Sequence, residues 1–220
     1  MKILGLYNNN CAIPLFDKLE EKGHEVVRMS DRLDVSFCEK GNFDLAVSYT
    51  YKYILPKEIL SALGGNVVNL HNSYLPYNRG ASPNLWSIAE DTPRGVTLHY
   101  MDAALDKGYV IARRLVTEGD GETLASSYAN LDKNAIDLFM EAFEYYPKWQ
   151  KIKKKVSGKG SYHSVADTKK LMSVIDSYDM KITDFKNYAR SIRRRPTASS
   201  TSAGAAAGRA KAGTSGEAAS

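Results

Sequence analysis

The chain has 220 residues, 43% of them hydrophobic and 25% charged, enough for one domain with a full core and a small appendage. Its formal charge of +5 would suit a nucleic-acid partner if it were spread over the surface. Instead, the basic residues Arg190, Arg193, Arg194, Arg195, Arg209 and Lys211, against the single acid Glu217, account for all of it. Residues 1–189 are therefore close to neutral, which argues against a face built to contact many phosphates.

Lys2–Tyr7 is short and apolar and ends in an Asn cluster, as a buried strand before a turn does. Leu15, Phe16 and Leu19 predict a helix over Ile13–Lys22, closed by Gly23. Strands are expected at His24–Met29, Asp44–Ser48 and Asn66–Leu70, with a short helix at Pro56–Leu63. A further helix is expected around Pro83–Glu90, and β-rich runs at Gly95–Met101 and Tyr109–Leu115. Leu124, Tyr128, Leu131, Ala135, Leu138, Ala142, Phe143 and Tyr146 make one apolar stripe, so Glu122–Tyr146 reads as the longest helix, with Pro147 at its end. Gly158–Tyr162 reads as a loop and Thr168–Ile175 as a helix. Strands alternating with helices predict an α/β fold with a doubly wound, mostly parallel sheet.

Three regions follow: a catalytic domain over 1–150, a C-terminal appendage over 151–196 and a tail over 197–220. The tail contains only Ala, Ser, Thr, Gly, Arg, Lys and Glu and has nothing large to bury, so disorder is expected there. Cys11 and Cys38 stand alone, outside any metal spacing, which suits a reducing, cytoplasmic compartment. The apolar start of MKILGLYNNN is too short for a secretion signal, and no 18-residue apolar run occurs, so no membrane association is expected. The first strand–helix turn, Tyr7-Asn8-Asn9-Asn10-Cys11-Ala12, has no glycine, and no P-loop pattern occurs. The phosphate cradles common in doubly wound sheets are thus missing.

Chemistry concentrates in residues 66–114. Asn69 and His71, two apart at the end of an apolar strand, point the same way, and ligands bind at that end of such sheets. Asp106 follows in Leu105-Asp106-Lys107-Gly108. An amide, an imidazole and a carboxylate suit acyl transfer to an amine: one donates to the carbonyl oxygen, one takes the proton, one orients the imidazole. The same residues have plainer readings. Asn69 is then a turn former, His71 a satisfied structural side chain, Asp106 a turn or cap residue. His24 and His99 read as packed, hydrogen-bonded structural histidines.

The order Asn69-Leu70-His71, Ser73-Tyr74-Leu75-Pro76, Arg79-Gly80, Gly95-Val96-Thr97-Leu98-His99, Asp106-Lys107-Gly108 resembles the folate-dependent formyltransferases. Ser73–Gly80, Pro83–Trp86 and Gly160-Ser161-Tyr162-His163 are most similar to the nucleotide-sugar N-formyltransferases among them. The resemblance implies a Rossmann-like fold and a catalytic trio of Asn69, His71 and Asp106. It also implies N10-formyltetrahydrofolate as co-substrate, with no metal. Tyr100, Met101 and Asp102 fall on the pterin-contacting loop, and Tyr77, Asn78, Arg79, Tyr162 and His163 on acceptor contacts. The implied acceptor is a nucleotide-linked amino sugar of the dTDP-4-amino-4,6-dideoxyglucose type, used in glycan biosynthesis. Another small amine such as glycinamide ribonucleotide, or a weakly active folate-binding protein, stands as the alternative. In the sugar enzymes, strands that complete the acceptor site and the dimer follow a segment like Asp184–Arg193. Here Arg194-Arg195-Pro196 and the tail follow, so a truncated acceptor end and a weakened homodimer are expected.

Overall fold

A computed structural model describes residues 1–102 and 108–194. Asp106 and the expected disordered tail lie outside these residues. The first half alternates strands and helices as β1 (Lys2–Leu6), α1 (Ile13–Glu21), β2 (Glu25–Met29), α2 (Val35–Gly41), β3 (Leu45–Tyr49), α3 (Lys57–Ala62) and β4 (Val67–His71). Then come β5 (Arg79–Gly80), α4 (Pro83–Glu90), β6 (Gly95–Tyr100), β7 (Val110–Leu115) and α5 (Leu124–Phe143). The chain ends in α6 (Trp149–Ile152), β8 (Tyr162–His163), α7 (Val165–Met172) and α8 (Ile182–Arg194).

Six strands form one sheet in the order β2-β1-β3-β4-β6-β7. The first four run parallel, and β6 and β7 add antiparallel, so the sheet is mostly parallel, as expected. Period-two alternation splits the core into two layers. Ile3, Val47 and Val68 face α1 and α5, whereas Leu4, Leu6, Ala46 and Val67 pack with Ile59, Leu60 and Leu63 of the α3 region. Helix starts follow their caps. Asp34 accepts from the Phe37 amide ahead of α2, and Thr123 and Ser126 form a reciprocal capping box at α5. Among the described residues no helix is long and apolar enough to cross a membrane.

The sequence reading assigned nothing to α2 or α6, and two further elements differ from it. Asp184–Arg193 falls within a helix, α8, whose Ile182, Phe185 and Ala189 bury against Leu85, Ile88 and Ala89 of α4. The expected loop at 158–162 ends in a strand: β8 pairs in parallel with β5, Arg79 opposite Tyr162 and Gly80 opposite His163. Gly80 has φ +89°, and a Cβ there would collide with the His163 carbonyl oxygen, so glycine is what lets these strands meet.

Candidate active site

Asn69 and His71 close β4, where β6 lies alongside with His99 opposite Asn69 and Thr97 opposite His71. The ring of His71 is buried, and its Nε2 lies 3.1 Å from the Asn78 carbonyl oxygen. A carbonyl only accepts, so Nε2 carries the proton, and in the neutral ring Nδ1 holds the lone pair. The same logic fixes His99. Its Nδ1 donates to the Tyr100 carbonyl at 3.0 Å, so its Nε2 accepts from Asn69 Nδ2 at 3.3 Å. That bond orients the Asn69 amide and leaves its second N–H for a ligand.

The loop after β4 is held just as closely. Thr97 Oγ1 accepts from the Leu75 amide at 3.1 Å and donates to the Ser73 carbonyl at 2.7 Å. Ser73 in turn donates to the Tyr77 carbonyl.

Asn69 and His71 border a cleft of about 580 Å³ at the carboxyl edge of the sheet. Tyr51, Ile54, Leu55 and Met101 give it an apolar wall, and Asp102 lies beside Met101. Tyr162 and His163 of β8 stand on the cleft as well. Tyr162 is exposed, while His163 is buried, stacked on Trp86 at 3.8 Å with its Nε2 3.3 Å from a Glu90 carboxylate oxygen. The cleft thus combines an apolar wall with a polar end at Asn69 and His71, the usual make-up of a small-molecule site.

Several expected contacts are placed elsewhere. Tyr100 does not reach the cleft. Its hydroxyl accepts from Gln150 at 3.0 Å, its amide donates to the Tyr109 carbonyl and its own carbonyl is taken by His99. Asn78 is fully buried, with φ 54°, and its Nδ2 donates to Thr92 at 2.7 Å while its amide donates to Ser161 at 2.8 Å. It is a brace between loops, not a surface an acceptor can touch. Arg79 donates from Nε to the Ser161 carbonyl at 3.3 Å, and neither it nor Tyr77 lines the cleft. Asp106 lies outside the described residues; where they resume, a Cβ on Gly108 would collide with the Tyr100 carbonyl oxygen.

His99 contributes more than the sequence reading gave it. Its contact with Asn69 depends on β6 pairing antiparallel with β4, which spacing alone does not reveal. The wall at 51–55 was missed too, although its position just past a strand of the sheet was a usable signal.

With this geometry in place, similarity to known proteins is informative. The Formyl transferase family model matches residues 4–143. The chain belongs to that family. The crystal structure of the formyltransferase PseJ from Anoxybacillus kamchatkensis, in complex with UDP-4,6-dideoxy-4-formamido-L-AltNAc and tetrahydrofolate, superposes with a TM-score of 0.75 at 37% identity. That match covers 86% of this chain and 100% of that one. A methionyl-tRNA formyltransferase from Fusobacterium nucleatum is 38% identical over 106 residues, 48% of this chain and 34% of that protein. A dTDP-4-amino-4,6-dideoxyglucose formyltransferase from Mycobacterium bovis is 34% identical over 102 residues, 46% of this chain and 43% of that protein. The matched segment is thus less than half the length of either of these two formyltransferases.

Proposed function

We propose that this formyl transferase family member moves a formyl group from N10-formyltetrahydrofolate to the amine of a nucleotide-linked amino sugar. The observation that carries this reading is the likeness to PseJ along that protein's whole length, whereas the methionyl-tRNA match reaches only a third of its relative. The near-neutral charge of residues 1–189 supports the same choice, because a tRNA acceptor needs many phosphate contacts.

The folate supplies an activated one-carbon unit. The chain's own groups then divide the work. The second N–H of Asn69 donates to the formyl oxygen as the amine nitrogen bonds to the formyl carbon and negative charge gathers on that oxygen. Nδ1 of His71 accepts the proton the amine loses, and the Asp106 carboxylate that the sequence motif implies offsets the positive charge the ring then carries. The bond from carbon to the folate nitrogen breaks, and that nitrogen takes up a proton. On this reading Tyr162 and His163, which line the cleft, belong to the sugar nucleotide.

The test is a formylation assay with the folate donor against UDP- and dTDP-linked amino sugars and charged methionyl-tRNA, read by product mass. Formylation of an amino sugar, and none of the tRNA, is expected. Formylation of tRNA alone would overturn the choice of acceptor.

A further inference from the structure

Asp132 stands on α5 without an ion-pair partner among the described residues. Two donors converge on its Oδ1: the Tyr49 hydroxyl, and Asn72 Nδ2 at 3.1 Å. Asn72 also lies 3.4 Å from the Tyr49 hydroxyl, so the three groups form one cluster, with the Cys11 thiol beside it. Tyr49 ends β3 with its ring fully packed, and Asn72 directly follows His71. One carboxylate on the long helix therefore grips the ends of the two central strands beside the proposed site.

Packing does not explain this carboxylate. Its neighbours Leu131, Ala135 and Ile136 bury against the sheet, and an apolar residue at 132 would avoid desolvating a charge. What the carboxylate adds is direction. Burial, and then the charge of Asp132, raise the Tyr49 phenol well above its ordinary range, so its hydroxyl stays a donor at any working pH. On the far side the His71 ring is held by the Asn78 carbonyl. The segment carrying His71 is thus pinned from both flanks.

We propose that Asp132 is a positioning residue for formyl transfer, fixing the turn after His71 through Asn72 and Tyr49. The idea rests on the formyl-transfer reading, because the group it positions is that reaction's base. A shift of an ångström in such a group costs as much as a hundredfold in rate, while substrate binding by the rest of the cleft is spared.

The test compares Asp132→Ala, Asp132→Asn and Tyr49→Phe with Ile136→Val, a destabilising control one turn along the same helix. Asp132→Ala should lower kcat by about tenfold or more, with KM for the folate donor changed less than about threefold. Asp132→Asn keeps an acceptor oxygen for the Tyr49 hydroxyl and should recover a large part of that loss; Tyr49→Phe should fall between the two. Ile136→Val should leave kcat within about twofold of the parent. A second readout needs no turnover. Nitrogen-15 spectra should show His71 as the Nε2-protonated tautomer in the parent and as a mixture in Asp132→Ala. If the parent formylates nothing on the amine panel, the functional reading fails, and the tautomer measurement still decides the positioning role. An Asp132→Ala kcat within about twofold of the parent, an equal loss in Ile136→Val, or an unchanged His71 tautomer overturns the proposal.

Discussion

Asn69 and His99 meet across the β4–β6 ladder, amide nitrogen to imidazole Nε2 at 3.3 Å, and this contact turns a core histidine into part of the site. Because the Tyr100 carbonyl holds the other ring nitrogen, His99 can present only an acceptor to Asn69 while it stays neutral. His99→Ala should then lower kcat by about tenfold, through a freed Asn69 amide, in addition to the loss of stability expected for a buried side chain. Steady-state rates and melting curves on the same samples separate the two effects. A kcat unchanged in a less stable protein would return His99 to a purely structural role.

Removing the groups proposed for the reaction itself should cost more. His71→Ala and Asn69→Ala are each expected to lower kcat by about a hundredfold, the scale of a lost general base or a lost oxyanion donor. Binding of a folate analogue, measured by calorimetry, should change little. Rates within about tenfold of the parent in folded variants would take these residues out of the mechanism.

Asn78 offers a test of architecture. It combines a left-handed backbone with hydrogen bonds to Thr92 and Ser161. Asn78→Ala loses two side-chain bonds, to Thr92 and from the Ser161 hydroxyl, and strains the backbone, for a cost of about 3 kcal/mol, and Asn78→Gly should recover part of that because glycine accepts the backbone freely. Denaturant titration gives both numbers. Equal stability of the two variants would show that the backbone conformation is not a factor.

The Arg94–Glu122 pair predicts a pH dependence of stability. Both side chains are nearly buried, with two hydrogen bonds at 2.7 and 2.9 Å. Burial by itself pushes the Glu122 carboxyl up, but Arg94, with help from Asn130 and the Gly119 amide, holds it below the usual carboxylate range. A native value below the unfolded one means the contribution is complete above the ordinary carboxylate range. It is lost as pH falls through the lowered native value. Glu122→Gln should cost about 3 kcal/mol near neutrality by leaving Arg94 without its counter-charge. Thermal melts between neutral and acidic pH should show a shallower acid slope in that variant than in the parent.

Cys11 is partly buried behind Tyr49 and Asp132, and it should be a poor nucleophile. Burial, followed by the charge of Asp132, pushes its thiol up to about 12. Only the thiolate reacts, so carboxymethylation at mildly alkaline pH should be far slower than for a free thiol. Cys11→Ser should keep its turnover. Rapid alkylation accompanied by loss of activity would contradict the assignment.

The sheet was legible in the sequence because each parallel strand is a short apolar run closed by turn residues, and Leu4 and Val47 need no partner to be recognised as core. α8 was not. Its residues Ile182, Phe185 and Ala189 are spaced for a helix, but the charged positions between them hide the stripe until α4 supplies the facing surface. Asn69 and His71 were singled out by their spacing on one strand together with the motif resemblance, whereas His99 required knowledge of which strands pair. Asn78 was misplaced because its surroundings, Thr92 and Ser161, come from distant parts of the chain. Asp132 was invisible for the same reason: nothing in its heptad marks it, and both partners arrive through the sheet.

The small β5–β8 ladder carries a consequence for how the molecule is made. Residues 79–80 wait for residues 162–163, so the flank of the cleft has a high contact order while the parallel sheet beside it is built from near neighbours. On a ribosome, β1 to β4 emerge and collapse well before His163 does, and the half-made chain passes through a stage in which the Asn69–His71 edge stands open to solvent.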